Sequence, residues 1–338
     1  MSKLSFLLRR LVNMDYSAML ETADEVGARC GRGRLPVLAD MARCALRYQA
    51  GYLDYKLFEF ESLTAAQRAT YITRGRNNTY VKRLNQRESW HLFDDKIEFL
   101  RLFDGLHGRA WLDLRGADAA ALAGFCAAHP RIVGKPVDGT CGRGIDFYTV
   151  DRPVEQAGEL HRTLTERRQI LVEQRVAQHP ELARLHPRSL NTLRLVTIVT
   201  PAGEPELVFS CLRIGNGKEV DNLNSGGMSV MVDGGGVLCS PGADKNGLAC
   251  EVHPLTNTTL PGTQLPFFEE AVALVKQAAL RVPGIRFVGW DVGITEAGPI
   301  LIEGNHFPGH DIYQFRIHLG PDRIGLAPRF DAAAGIVT

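Results

Sequence analysis

No two cysteines in this chain are spaced as C-x-x-C, and the seven present are scattered at positions 30, 44, 126, 141, 211, 239 and 250. An odd, unpaired set excludes a zinc ribbon and a disulfide framework, and it fits a reducing, cytoplasmic setting. Long apolar runs are missing too, since none approaches the ~20 residues that cross a bilayer. The opening stretch, MSKLSFLLRRLVNM, offers only Leu4 to Leu8, interrupted by Ser5 and followed by Arg9 and Arg10. That pattern makes a poor signal peptide and reads as an amphipathic helix. Charge of one sign is also lacking: 39 Lys and Arg stand against 38 Asp and Glu, a net of +1. Binding to a phosphate backbone usually shows as a basic excess, so nucleic acid is not expected as a partner. There is no internal repeat. No glycine loop ends in Lys-Ser/Thr, so a Walker A motif is absent, and no glycine fingerprint joins a strand to a helix.

What is present is an ordinary globular composition, 45% hydrophobic and 23% charged, over 338 residues. That length can fill two or three packed subdomains. The first ninety or so residues show apolar positions at three- and four-residue spacing, as in LPVLADMARCALRYQAGYLDYKLFEF, and read as helices. Arginines recur there (Arg29, Arg32, Arg34, Arg43, Arg47), either as a solvated face or as a docking surface for an anionic partner. Trp90 to Phe103 reads as helix, Ala110 to Leu114 as a short strand, and Ala117 to His129 as an alanine-rich helix stopped by Pro130. Beyond Pro130 the texture turns to β. RIVGKPV, IDFYTV, QILVEQRV, NTLRLVTIVT and ELVFSCLRIG carry β-branched and aromatic residues. SVMVDGGGVLC and RFVGWDVGITEAGPILIEGN read as hairpins, with the helix PFFEEAVALVKQAALRV between them.

The last hairpin carries the strongest chemical signal. Its turn centres near Ala297, so Asp291 and Glu303 are expected opposite one another. Asn305, two residues on, shares the face of Glu303. Two facing carboxylates repel unless a cation lies between them, and an all-oxygen set suggests a hard ion such as Mg²⁺. The alternative is a polar outer face. The apolar neighbours Phe287, Val288, Trp290, Ile300, Leu301 and Ile302 argue instead for central strands.

Four weaker signals accompany it. The loop Asp138-Gly139-Thr140-Cys141-Gly142-Arg143-Gly144, preceded by Lys135-Pro136, could bring backbone N–H groups and a lysine to phosphates, or could be an ordinary turn. LVEQRV ends a strand with Glu173-Gln174, whose backbone could meet an adenine edge. Arg194 enters the apolar strand LVTIV and needs an anion, whether phosphate or a structural carboxylate. Asp221, Asn222 and Asn224, in DNLNSGG, together with Arg213 upstream and His306 after the last hairpin, could line an acceptor site or be structural.

In order, K-P…G-x-x-G-x-G-I, V-E-Q, N-T-x-R, W-D-V-G and I-E-G-N resemble the ATP-grasp superfamily. S-L-N-T-L-R-L-V-T and V-D-N-L-N-S-G-G resemble its sugar-transfer-associated group, related to α-L-glutamate ligases, over about Asp94 to Ile324. The resemblance implies an α+β ATP-grasp fold, two lobes gripping ATP behind a mostly helical N-terminal region. It divides the chain into residues 1–93, a first lobe with a glycine-rich lid at 94–175, and a metal-bearing lobe at 176–330. It also implies that Lys96 and Lys135 contact the phosphates and that Gly139, Thr140, Gly142 and Gly144 fold over them. Glu173 and Gln174 would hold adenine, with Glu181 or His179 near the ribose. Arg194 would face the transferring phosphoryl group, and Asp291, Glu303 and Asn305 would hold one or two Mg²⁺. The implied activity is an ADP-forming carboxylate–amine ligase working through an acylphosphate on small-molecule acids and amines, in polysaccharide or cell-surface polymer biosynthesis. A kinase acting on a hydroxyl, or a non-catalytic ATP-binding module, is the alternative. Oligomeric state and the role of Cys141 are left open.

Overall fold

The computed structural model describes residues 15–139 and 143–336. The expected N-terminal amphipathic helix, and Thr140, Cys141 and Gly142 of the lid loop, lie outside the described residues. Within them no helix is long and apolar enough to cross a membrane.

The chain divides into two compact units. The first joins the described residues through Thr79 with the distant segment His310–Pro328. It is helical, as the 3.6-residue spacing requires. Helix Tyr16–Cys30 starts at Asp15, whose side chain accepts from Ala18 N, and stops at Gly31 with φ 67°. Helix Arg34–Tyr48 packs Val37, Met41 and Cys44 onto Tyr55, Phe58, Phe60 and Tyr71. A buried Asp54 accepts from His310 Nε2 at 2.7 Å and from the backbone of Gly51 and Arg74.

The second unit, Tyr80–Gly309 with Arg329–Thr338, holds two antiparallel sheets. The smaller orders its strands β1 (Trp111–Asp113), β4 (Leu171–Gln174), β2 (Arg131–Lys135), β3 (Asp146–Thr149). Helices Ala119–Ala128 and Pro153–Glu166 supply Leu122, Cys126 and Leu164 to its core. The larger runs β11 (Gly298–Asn305), β10 (Phe287–Thr295), β5 (Leu193–Val199), β6 (Pro205–Ile214), β7 (Met228–Met231), β8 (Gly242–Ala243), β9 (Ala249–Cys250). All seven residues of β5 are buried, Arg194 included. Helix Phe268–Ala279 lays Phe268, Ala271 and Val275 on the large core around Trp290, whose indole N–H donates to Thr197 Oγ1 at 2.8 Å.

Two expected elements are shorter than the sequence suggests. Trp90 to Phe103 is interrupted because Asp95 caps a new helix, accepting from Ile97 N and Glu98 N, so His91–Asp94 and Lys96–Leu102 are separate. The triple-glycine hairpin pairs beyond Met231 only through the isolated bridge Val232 to Leu238. Asp233 draws Gly235 N and Val237 N onto its own side chain.

Candidate active site

The hairpin β10–β11 pairs Asp291 with Glu303, and it reaches that register by an irregular route. The two-residue turn places Thr295 opposite Gly298 and Val292 opposite Leu301. Continued regularly, that ladder would set Ile302 against Asp291. A bulge at Ile302 absorbs one residue and brings Glu303 into place. Across the other edge of β10, Asp291 pairs with Arg194 of β5.

Asp291 is buried and fully engaged. Its Oδ1 accepts from Arg194 Nε at 2.6 Å, and its Oδ2 from Arg194 Nη2 at 3.2 Å and Arg213 Nη2 at 2.7 Å. Burial alone would raise its pKa, but the two guanidinium groups outweigh it and hold the carboxyl below its ordinary value. Arg213 also donates to Thr192 Oγ1 at 2.7 Å and lies 3.6 Å from Asp221. Asp221 accepts from the backbone N–H of Thr192 at 2.9 Å and from its hydroxyl. Burial pushes the Asp221 pKa up, more than Arg213 and Thr192 lower it.

Glu303 is different. Among the described residues its half-buried carboxylate has no hydrogen bond or ion pair. Burial raises its pKa, the Asp291 charge raises it further, and the nearby Lys96, Lys135 and Arg213 only partly offset this. Asn305, also half-buried, accepts from Phe307 N at 2.8 Å through Oδ1. A raised, donor-free carboxylate beside a second carboxylate is a set that a hard divalent cation would complete, so these residues fit Mg²⁺.

Two lysines lie near the Glu303 carboxylate, Lys135 on β2 of the smaller sheet and Lys96 at the start of helix Lys96–Leu102. Lys135 Nζ donates to Glu173 Oε2. Glu173 also accepts from Arg109 Nη2 at 2.8 Å. Burial would lift the Glu173 carboxyl, but Arg109 and Lys135 prevail and hold it at about 2. Lys96 Nζ donates to Gly139 O at 2.8 Å, and burial lowers its pKa although Glu303 opposes that. Its helix is anchored by Lys96 N donating to Val137 O at 3.1 Å, which ties it to the segment leading into the lid loop.

The remaining candidates are spread more widely. Gln174 accepts from Ala110 N at 3.2 Å, and Gly144 O accepts from Gln169 Nε2 at 2.9 Å. Glu181 is ion-paired with Arg184 at 2.7 Å and lines a cavity of about 660 Å³ with Leu185, Thr259 and Gln264, apart from the charged cluster. His306 is buried, stacks on Trp90 at 4.8 Å and bonds Asp94 Oδ1 at 2.9 Å. Asn222 and Asn224 flank the short turn Leu223–Ser225, with Asn224 exposed.

Arg109 was missed in the sequence. The only local signal is an arginine between a glycine and the apolar Ala110-Trp111, in a loop where Gly108 adopts φ 55°.

A profile described as sugar-transfer associated ATP-grasp matches residues 75–320. No curated protein matches the sequence significantly. Among solved structures, the chain is similar to the ADP complex of an N5-carboxyaminoimidazole ribonucleotide synthetase, with 12% identity over 73% of this chain and 53% of that one at TM-score 0.44. It is similar to D-alanyl-alanine synthetase A from Vibrio cholerae, with 15% identity over 72% and 60% at TM-score 0.40. A RimK domain ATP-grasp protein from Sphaerobacter thermophilus gives 14% identity over 73% and 70% at TM-score 0.39. The chain thus spans about half the length of the first of these.

Proposed function

The chain belongs to the sugar-transfer associated ATP-grasp family, and from that premise we propose that it is an ATP- and Mg²⁺-dependent carboxylate–amine ligase. The observation that carries this reading is the pairing of Asp291 with Glu303, which has no donor among the described residues, set among Lys96, Lys135, Arg194 and Arg213. Bound Mg²⁺, held by Asp291, Glu303 and Asn305, would neutralise phosphate charge. Lys135, on β2 of the smaller sheet, and Lys96, at the start of helix Lys96–Leu102, would bind the phosphates. Gln174, at the end of β4, would meet the adenine, while the Glu173 carboxylate is held by Arg109 and Lys135.

Arg194 and Arg213 hold positive charge where a phosphoryl group passes from donor to acceptor. Phosphoryl transfer asks for positioning and charge neutralisation more than covalent chemistry, and this cluster supplies both. A carboxylate oxygen of the acid substrate attacks the γ-phosphorus as the bond to the ADP oxygen breaks. An amine then attacks the acyl carbon, phosphate leaves, and the amine nitrogen loses a proton. Asn222 and Asn224, on the loop that Asp221 anchors, would contact the acceptor, and His306, stacked on Trp90 and bonded to Asp94, supports the end of β11. The family's description as sugar-transfer associated supports a sugar-containing acceptor.

A screen of amino acids, amino sugars and organic acids for ADP release, with mass analysis of products, tests this. An amide with ADP and phosphate is the expected result. A phosphate ester would indicate a kinase, and AMP would rule out the acylphosphate route.

A further inference from the structure

Arg109 touches both halves of the charged cluster and neither the sequence signals nor the proposed chemistry uses it. It is buried, at 6% exposure, in the loop before β1. Its guanidinium makes four hydrogen bonds: Nη1 to His107 O at 3.1 Å and Leu301 O at 2.7 Å, Nη2 to Ile302 O at 3.1 Å and Glu173 Oε1 at 2.8 Å. Nε has no partner among the described residues. Leu301 O and Ile302 O are the carbonyls at the β11 bulge. In a regular strand successive carbonyls point to opposite edges, so one group cannot easily take both. At a bulge the ladder is disrupted, and the freed backbone groups need other partners. β11 is an edge strand, and here its outer side is met by Arg109 and by Leu106, whose carbonyl accepts from Leu301 N at 2.8 Å.

We propose that Arg109 is a positioning residue that locks the bulge setting Glu303 opposite Asp291, and through Glu173 orients Lys135 toward the same cluster. The inference rests on the metal reading of Asp291 and Glu303. Its physical content is the fork: five donors in a fixed plane can serve two adjacent carbonyls and a carboxylate together, whereas a lysine ammonium is a point charge on a flexible stem. Losing the fork frees the bulge to slip by one residue, and a one-residue slip carries Glu303 to the opposite face.

The test compares Arg109→Lys, Arg109→Ala and Glu303→Gln with the unaltered protein. Mn²⁺ binding with a non-hydrolysable ATP analogue is followed by electron paramagnetic resonance, and hydrogen exchange is followed over residues 193–199 and 299–305. Outer-shell partners of metal ligands are worth 10- to 100-fold in affinity. Arg109→Lys is accordingly expected to weaken Mn²⁺ binding about tenfold, with faster exchange confined to 299–305. In Arg109→Ala, added methylguanidinium should restore part of the binding. Mn²⁺ affinity unchanged in Arg109→Lys but lost in Glu303→Gln would overturn the role of Arg109 and leave the metal reading standing. Exchange rising equally in 193–199 would reduce Arg109 to general packing and equally overturn it. Unchanged binding in Glu303→Gln would overturn the metal reading, and this inference with it.

Discussion

Asp291 and Glu303 face each other across β10 and β11, yet among the described residues only Asp291 has partners: two arginines hold it ionised while Glu303 has no donor. The asymmetry gives the two carboxylates different roles. Asp291 fixes Arg194 and Arg213, and Glu303, lacking a donor among the described residues, draws the cation that the two carboxylates would share.

Glu303→Gln therefore should not destabilise the fold. The raised carboxyl keeps its proton longer in the folded than in the unfolded chain. Its contribution to stability is present at low pH and is lost as pH rises from the ordinary glutamate value through the raised one. Removing the charge abolishes that loss, so the variant should match or exceed the parent in thermal midpoint at neutral pH. By the same linkage, divalent-metal affinity should fall as pH drops through the raised pKa, because the ion must displace the proton. Scanning calorimetry reads the first and calorimetric titration the second, each at several pH values.

Arg194→Ala should behave oppositely. It leaves buried Asp291 with Arg213 alone, and breaking a buried pair from one side costs about 3 kcal/mol. Denaturant unfolding should show that loss. The double variant with Asp291→Asn should lose less than the sum of the two single changes, since they share one interaction.

Glu173→Gln should cost a similar ~3 kcal/mol at neutral pH, for the same reason. Its carboxyl lies at about 2 in the folded protein. The stability it provides is present above the ordinary glutamate range and disappears as pH falls toward 2. Unfolding free energies measured from pH 5 downward should fall more steeply for the parent than for the variant.

Trp290→Phe probes the wall behind the cluster. It deletes the indole donor to Thr197 Oγ1 and leaves a buried hydroxyl without that partner, at a cost of about 1–3 kcal/mol. Metal and nucleotide affinity should be retained, because the indole lies in the core beside the charged face. Denaturation and binding measurements on one preparation check both.

Much of this arrangement was legible in the sequence. The alternation and turn residues of 287–305 define the hairpin, and counting from Ala297 sets Asp291 against Glu303. That pairing is present, but the count does not reveal that a two-residue turn and a bulge at Ile302 together produce it. A bulge leaves no period in the side chains. The partners of the cations were not legible either. Lys135 meets Glu173 and Arg194 meets Asp291 across 38 and 97 residues of chain, and only tertiary packing decides which carboxylate an arginine reaches. Asp95 breaking the helix after Trp90 could have been read, since Asp is a strong capping residue. The association of His310–Pro328 with the N-terminal helices has no counterpart in local pattern.

The most direct test of the metal assignment is anomalous diffraction from crystals grown with Mn²⁺ and a non-hydrolysable ATP analogue. A peak bridging the carboxylates of Asp291 and Glu303, within about 2.0–2.5 Å of an oxygen of each, is the predicted result. Bound nucleotide with no peak at that pair, or a peak held by other residues, would contradict it.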